Sequence, residues 1–193
     1  TVTGVQTCAL PISTVQIETA DPACQVPRLV ATGGPAPANP HTLAVRWTGY
    51  SNFELAYKGR VILLDAYFDR GSIYPPIGFA SADVRRADVI LLGHGHYDHM
   101  ADAASVAART GATVVGAPVT AEKLRAQSLD VKQIREVTGR GGELLRFDGF
   151  TVEPILGRHG EPPAEVTRAF GGALQATAPR PTADQTAEQA RIT

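Results

Sequence analysis

The sequence predicts an α/β fold in the α+β layered sense. Three observations carry that expectation. Apolar runs of strand length recur between Thr42 and Leu156, helix-forming segments lie among them, and glycine-rich or polar turns sit at the joints. A chain of 193 residues is enough for about one domain with its own core. Its 44% hydrophobic and 19% charged residues are ordinary for a soluble domain. A net charge of −1 argues against nucleic acid or a basic membrane face as partner, and leaves a small-molecule substrate. No apolar run approaches the roughly 20 residues of a membrane span. Oligomeric state has no signature here.

The elements follow in order. TLAVRW and SNFELAY alternate apolar and polar residues, KG marks a turn, and RVILLD reads as a buried strand ending at Asp65. These adjacent strands are expected to pair antiparallel. Asp83 to Ala87 reads as a polar turn, and DVILLG, from Asp88 to Gly93, has the continuous apolar character of an inner strand. Met100 to Arg109 is alanine-rich and helical, with Gly111 ending it. ATVVGAP is a short strand. Thr120 is expected to cap a helix over AEKLRAQ, with Glu122 in its first turn. IREVT, ELLRF and FTVEPIL are three further strands, the last running into Arg158, His159 and Gly160.

The ends read differently. Val2 to Ile12, VTGVQTCALPI, resembles the in-frame translation of a sequencing adapter, so residues 1–13 are set aside, Cys8 with them. Residues 14–40 form a Pro/Ala-rich leader containing Cys24, and two cysteines alone make neither a disulfide framework nor a structural zinc site. After Pro163 the chain becomes polar. A short helix to Phe170, a PRPT linker and a second helical stretch from Asp184 to Ile192 are expected. The domain proper is placed at 41–163, with 164–193 as a polar segment cut short.

GHGHYDHM, Gly93 to Met100, gathers three of the five histidines at the end of the DVILL strand. An extended chain directs residues i, i+2 and i+4 to one side, so His94, His96 and Asp98 are expected to project together, with His99 pointing elsewhere. The pattern suits two neighbouring cations. His94 and His96 share one at about 2.0–2.1 Å, and Asp98 and His99 reach the other. His41 precedes the core strands and is expected in solvent.

His94-Gly95-His96-Tyr97-Asp98-His99 is similar to the H-x-H-x-D-H signature of the metallo-β-lactamase superfamily, and RWTGYSNFEL, RVILLDA and RRADVILLGHGHYDHM resemble the first half of that fold. The branch most resembled contains the ascorbate-phosphate lactonase-like metal-dependent hydrolases. The resemblance runs from about Thr42 to Gly160. It implies the N-terminal half of an αββα sandwich, and two zinc ions in the complete parent; imidazole and carboxylate ligands also serve manganese or iron. It makes His159 the third histidine of the first metal site and Asp65 a residue that orients the histidine loop. Asp98 becomes the catalytic residue, holding the second metal and orienting the nucleophilic water. Tyr67, Phe68, Arg70 and Tyr74, in the aromatic loop after Asp65, line a pocket or pack that loop inward; the residues allow both.

The family's bridging aspartate and last histidine come from later strands. No histidine follows His159, and Asp184 lies in a polar helical stretch. The expectation is therefore a gene fragment of metagenomic type, poorly soluble because the inner face of its sheet is bare. Two other readings stay open: a mononuclear iron oxidoreductase of the same fold, and a catalytically incomplete metal-binding fragment. A diiron flavoprotein is disfavoured by the intact His96. The compartment, cytoplasmic or periplasmic, is also open.

Overall fold

The computed structural model describes residues 6–7, 28–71 and 74–157. Cys8, Cys24, His159, most of the adapter-like and leader stretches and the expected helices after Pro163 lie outside them.

Among the described residues seven strands form one sheet in the order β1 to β7: Gln6–Thr7, Ala44–Trp47, Phe53–Tyr57, Arg60–Leu64, Val89–Leu91, Thr113–Gly116 and Ile134–Glu136. β2, β3 and β4 pair antiparallel, as the short turns between them require, and β4 to β7 pair parallel. β1 falls within the adapter-like stretch and pairs parallel with Ala44 and Val45. Such pairing uses backbone groups and asks no pattern of the side chains. β8 (Leu145–Phe147) and β9 (Phe150–Val152) form a separate antiparallel hairpin.

Among the described residues three α-helices accompany the sheet: α1 (Tyr97–Met100), α2 (Ala103–Thr110) and α3 (Pro118–Ala126). The alanine-rich segment forms α2, and the single turn α1 before it belongs to the histidine motif. Gly111, in the left-handed region at φ 79°, ends α2 as its lack of Cβ permits. α3 starts earlier than the sequence suggests. Pro118 occupies its first turn after Ala117, while Thr120 lies buried inside the helix and makes no cap. Proline's fixed φ and missing N–H suit the first helical position, and they outrank a threonine two residues on.

Alternation along the strands divides the sheet into two faces. Ala44, Ala56, Val61, Leu63, Ile90 and Val114 pack with Met100, Val106, Ala107 and Leu124 into the main core. On the opposite face Val89 and Val115 pack with Val137 and Leu145, flanked by Leu91, Phe147 and Phe150, so the β8–β9 hairpin covers the sheet there. Trp47, at the β2 end of that face, is 62% exposed.

The amphipathic reading of β2 and β3 is inverted. Arg46 and Glu54 face the main core as a directly paired couple, Nη1 to Oε1 at 2.9 Å, with Glu54 fully buried. Glu54 also accepts the backbone N–H groups of Val30 at 3.0 Å and Ala31 at 2.7 Å. A buried carboxylate is tolerated only when its lone pairs are taken, and here a guanidinium and two amides take them. The pair thereby ties the segment before β2 onto the sheet.

Candidate metal centre

The candidate site lies where β4 and β5, adjacent parallel strands, both end. β4 stops at Leu64, and Asp65 turns the chain at φ 57°, a left-handed conformation unusual outside glycine. Its N–H donates to Leu91 O at 2.9 Å, which locks the turn to β5. Its carboxylate then reaches across. Oδ1 accepts the N–H of Gly93 at 2.9 Å, and Oδ2 lies 2.7 Å from His99 Nδ1. A second carboxylate, Asp102, accepts from the amides of Phe68 at 2.7 Å and Asp69 at 3.1 Å, clipping the same loop to the start of α2.

The histidine loop is extended through His96, and His94 Nε2 and His96 Nδ1 face each other at 2.7 Å. At Tyr97 the chain turns helical, with His96 O accepting the N–H of His99 at 3.2 Å. That turn changes the expected geometry of His99. Instead of pointing elsewhere, its ring lies 3.9 Å from that of His94, centroid to centroid. Alternation by two holds only along the extended part. His96 and His99, at the N-cap and third position of a helix, fall on one face. Asp98 sits beside His99, with Oδ2 3.9 Å from Nε2. Ser51, in the β2–β3 turn, brings its Oγ to 3.0 Å from His99 Nδ1.

Electrostatics follow from these contacts. Burial opposes the charged form of His99, but the hydrogen bond and charge of Asp65, with Asp98 adding, outweigh it and hold the imidazole above its ordinary pKa. Burial, aided by the Asp98 charge, pushes the Tyr97 hydroxyl up.

The loop after Asp65 resolves into two parts. Tyr67 is buried, edge-on to Tyr97 at 5.7 Å, and packs inward. Phe68, Arg70 and Tyr74 line a cavity of about 380 Å³ with Asp69, Ile77 and Phe79. The Arg70 guanidinium is itself buried. It donates to the carbonyls of Tyr67, Thr48 and Gly49 and lies over the rings of Tyr50 and Tyr67. His41 is exposed, as expected.

Among the described residues no group of three or more His, Cys, Asp or Glu side chains is spaced to hold a metal ion. The fit rests on donor chemistry. Three imidazoles converge, a carboxylate stands beside them, and Asp65 engages Nδ1 of His99, which would leave Nε2 as that ring's donor to a cation. Ser51 and Lys123 also border this loop without having been singled out in the sequence, and Thr120, expected only as a helix cap, borders it too. Only Gly95, the small residue between the two histidines, hinted that something packs closely there.

Residues 60–181 match the beta-lactamase superfamily domain, more than half of the chain. The chain belongs to the metallo-β-lactamase superfamily. It is 36% identical over 115 residues to a UPF0173 metal-dependent hydrolase of Agrobacterium fabrum, covering 57% of this chain and 45% of that protein. Similar proteins of the same name are found in Thermoplasma volcanium (29% over 113 residues, 58% and 46% covered) and Methanopyrus kandleri (29% over 117 residues, 61% and 47% covered). The chain thus spans about half the length of the curated relatives it matches. Among solved structures, the metallo hydrolase Igni18 of Ignicoccus hospitalis is 19% identical, with a TM-score of 0.41 over 54% of this chain and 42% of that one. No helix among the described residues is long and apolar enough to cross a membrane.

Proposed function

We propose that this chain is the metal-bearing part of a superfamily hydrolase acting on an ester, lactone, amide or phosphodiester. The observation that carries the reading is the convergence of His94, His96 and His99 at the shared end of β4 and β5, with Asp65 engaged behind His99. Relatives named metal-dependent hydrolases support it. His94 and His96, with His159 beyond the described residues, would hold one divalent cation; Asp98 and His99 would hold a second. Zinc suits imidazole and carboxylate donors best, and manganese or iron use the same types. When bound, such ions polarise a carbonyl or phosphoryl oxygen and make water acidic near neutral pH.

The chain's own residues supply the rest. Asp65 sets the orientation of the His99 ring and, by accepting from Gly93, the direction in which the loop leaves β5. Asp98 places a carboxylate oxygen 3.9 Å from His99 Nε2, where it would orient the attacking water and accept its proton. The cavity within the segment after Asp65, lined by Phe68, Arg70, Tyr74 and Phe79, is the candidate site for the substrate's apolar part.

The test pairs metal binding with turnover. After dialysis against zinc, manganese or ferrous iron, the chain should retain metal, and the His94→Ala/His96→Ala variant should not. Turnover of a panel of chromogenic esters, lactones and phosphodiesters should fall by about two orders of magnitude or more in Asp98→Ala, the scale of a lost general acid–base group. Undiminished turnover in that variant removes Asp98 from the chemistry, and a wild-type chain that retains no metal removes the proposal.

A further inference from the structure

Helix α3 forms the floor beneath the histidine loop, and the contact is close enough to dictate which residues can make it. A Cβ placed on Gly95 would lie 3.1 Å from Thr120 Oγ1 and 3.4 Å from Lys123 Cδ. One placed on Gly116, at the end of β6, would lie 2.8 Å from Thr120 Cγ2. Thr120 is therefore wedged in a slot between two glycines, and the side of Gly95 opposite the histidine rings rests on α3. Lys123, one turn further along, completes the contact. The residue is only 6% exposed, and its Nζ donates to the Gly95 carbonyl at 2.6 Å.

Nothing in the packing of α3 explains a buried ammonium there. An apolar residue would fill the same stem volume without desolvating a charge. Burial does push the ammonium below its ordinary pKa. What the amine alone supplies is a grip on one carbonyl, and that carbonyl belongs to the planar peptide joining Gly95 to His96. Fixing its oxygen fixes ψ of Gly95 and φ of His96, and so the relative directions of the His94 and His96 side chains.

We propose that Lys123 is a positioning residue: by holding the Gly95 carbonyl against α3 it presets the His94–His96 pair and sets how tightly the loop takes a divalent cation. This rests on the metal-binding reading of the same loop. Arg125, two residues on, provides the internal contrast, because its guanidinium turns outward to Glu136 at 3.0 Å on an exposed surface.

Cobalt(II) is the probe, since its visible absorption reports the number and geometry of its ligands. The 193-residue chain and its Lys123→Met, Lys123→Arg and Arg125→Met variants are titrated with cobalt, and each is melted without it. Lys123→Met should bind about tenfold or more weakly, the scale seen when a residue supporting a ligand is lost, with a shifted absorption envelope. Lys123→Arg, which still donates to the carbonyl, should stay within about threefold, and Arg125→Met should match the wild type. If Lys123→Met shows no melting transition, the same tenfold criterion passes to Lys123→Gln. Wild-type affinity and spectrum in the variant so judged overturn the proposal, as does an equal loss in Lys123→Arg. A wild-type chain without cobalt bands overturns the metal-binding reading and this proposal together.

Discussion

The histidine loop is held from two flanks by side chains of opposite charge, and the two grips differ in kind. On the β4 flank, the Asp65 carboxylate touches a proposed metal ligand directly, at His99 Nδ1, as well as the Gly93 amide. On the α3 flank, the Lys123 ammonium touches no ligand; it takes the backbone carbonyl midway between two of them. The first grip sets both the direction and the protonation of a ring. The second sets geometry only. A strand-end loop with no hydrogen-bond ladder of its own needs both, because its ligands otherwise follow wherever the backbone drifts.

The largest effect should come from the flank that reaches a ligand. Asparagine tolerates the left-handed backbone at position 65, so Asp65→Asn removes the charge without forcing the turn. Its cobalt affinity should fall about 10–100-fold. Wild-type affinity in that titration would make the carboxylate no more than a structural brace.

Next in size is the packing beneath the loop. Gly95→Ala drives a methyl against Thr120 and should cost about 1–3 kcal/mol of stability in urea unfolding. Thr120→Ala in the same chain should recover part of that cost. Strict additivity of the two would show that Gly95 and Thr120 do not meet in solution.

The smallest effect is the pH dependence of stability. The folded chain holds His99 above the ordinary histidine value. Its contribution is therefore complete below about pH 6.5 and lost as pH rises through the higher folded value. Melting temperatures of the metal-free wild type should decline over that window, and those of Asp65→Asn should decline less. Cation binding runs the other way, because an imidazole ligand must be neutral. Parallel curves for the two chains would separate His99 protonation from Asp65.

The covered and open parts of the sheet bear on the expectation of poor solubility. The β8–β9 hairpin shields the β5–β6 part of the second face. Trp47, on β2, remains largely exposed on the same face. Among the described residues, Leu144, Ile155 and Leu156 flanking the hairpin are exposed as well, so the cover of that face is partial.

Much of this molecule was legible in the sequence. Each expected strand from TLAVRW to FTVEPIL is present, because each is a short apolar run between strong turn signals, and those signals are local. The H-x-H-x-D-H spacing located the candidate site for the same reason, and His94 and His96 meet as their spacing requires. The failures share one cause. Glu54 and Arg46 took the polar positions of alternating strands, His99 was expected to point elsewhere, and Lys123 carried no signal of its own within AEKLRAQ.

What the sequence by itself determined is periodicity: which residues share a face, where a strand must end, and which donors lie within reach along the chain. Only the tertiary structure decided which face was covered and what stood opposite it. Val30 and Ala31 bring their amides to Glu54, Asp65 reaches His99 across 34 residues, and Lys123 reaches Gly95 across 28. Burying a charge is favourable only where such distant partners arrive together, and no local pattern records their arrival.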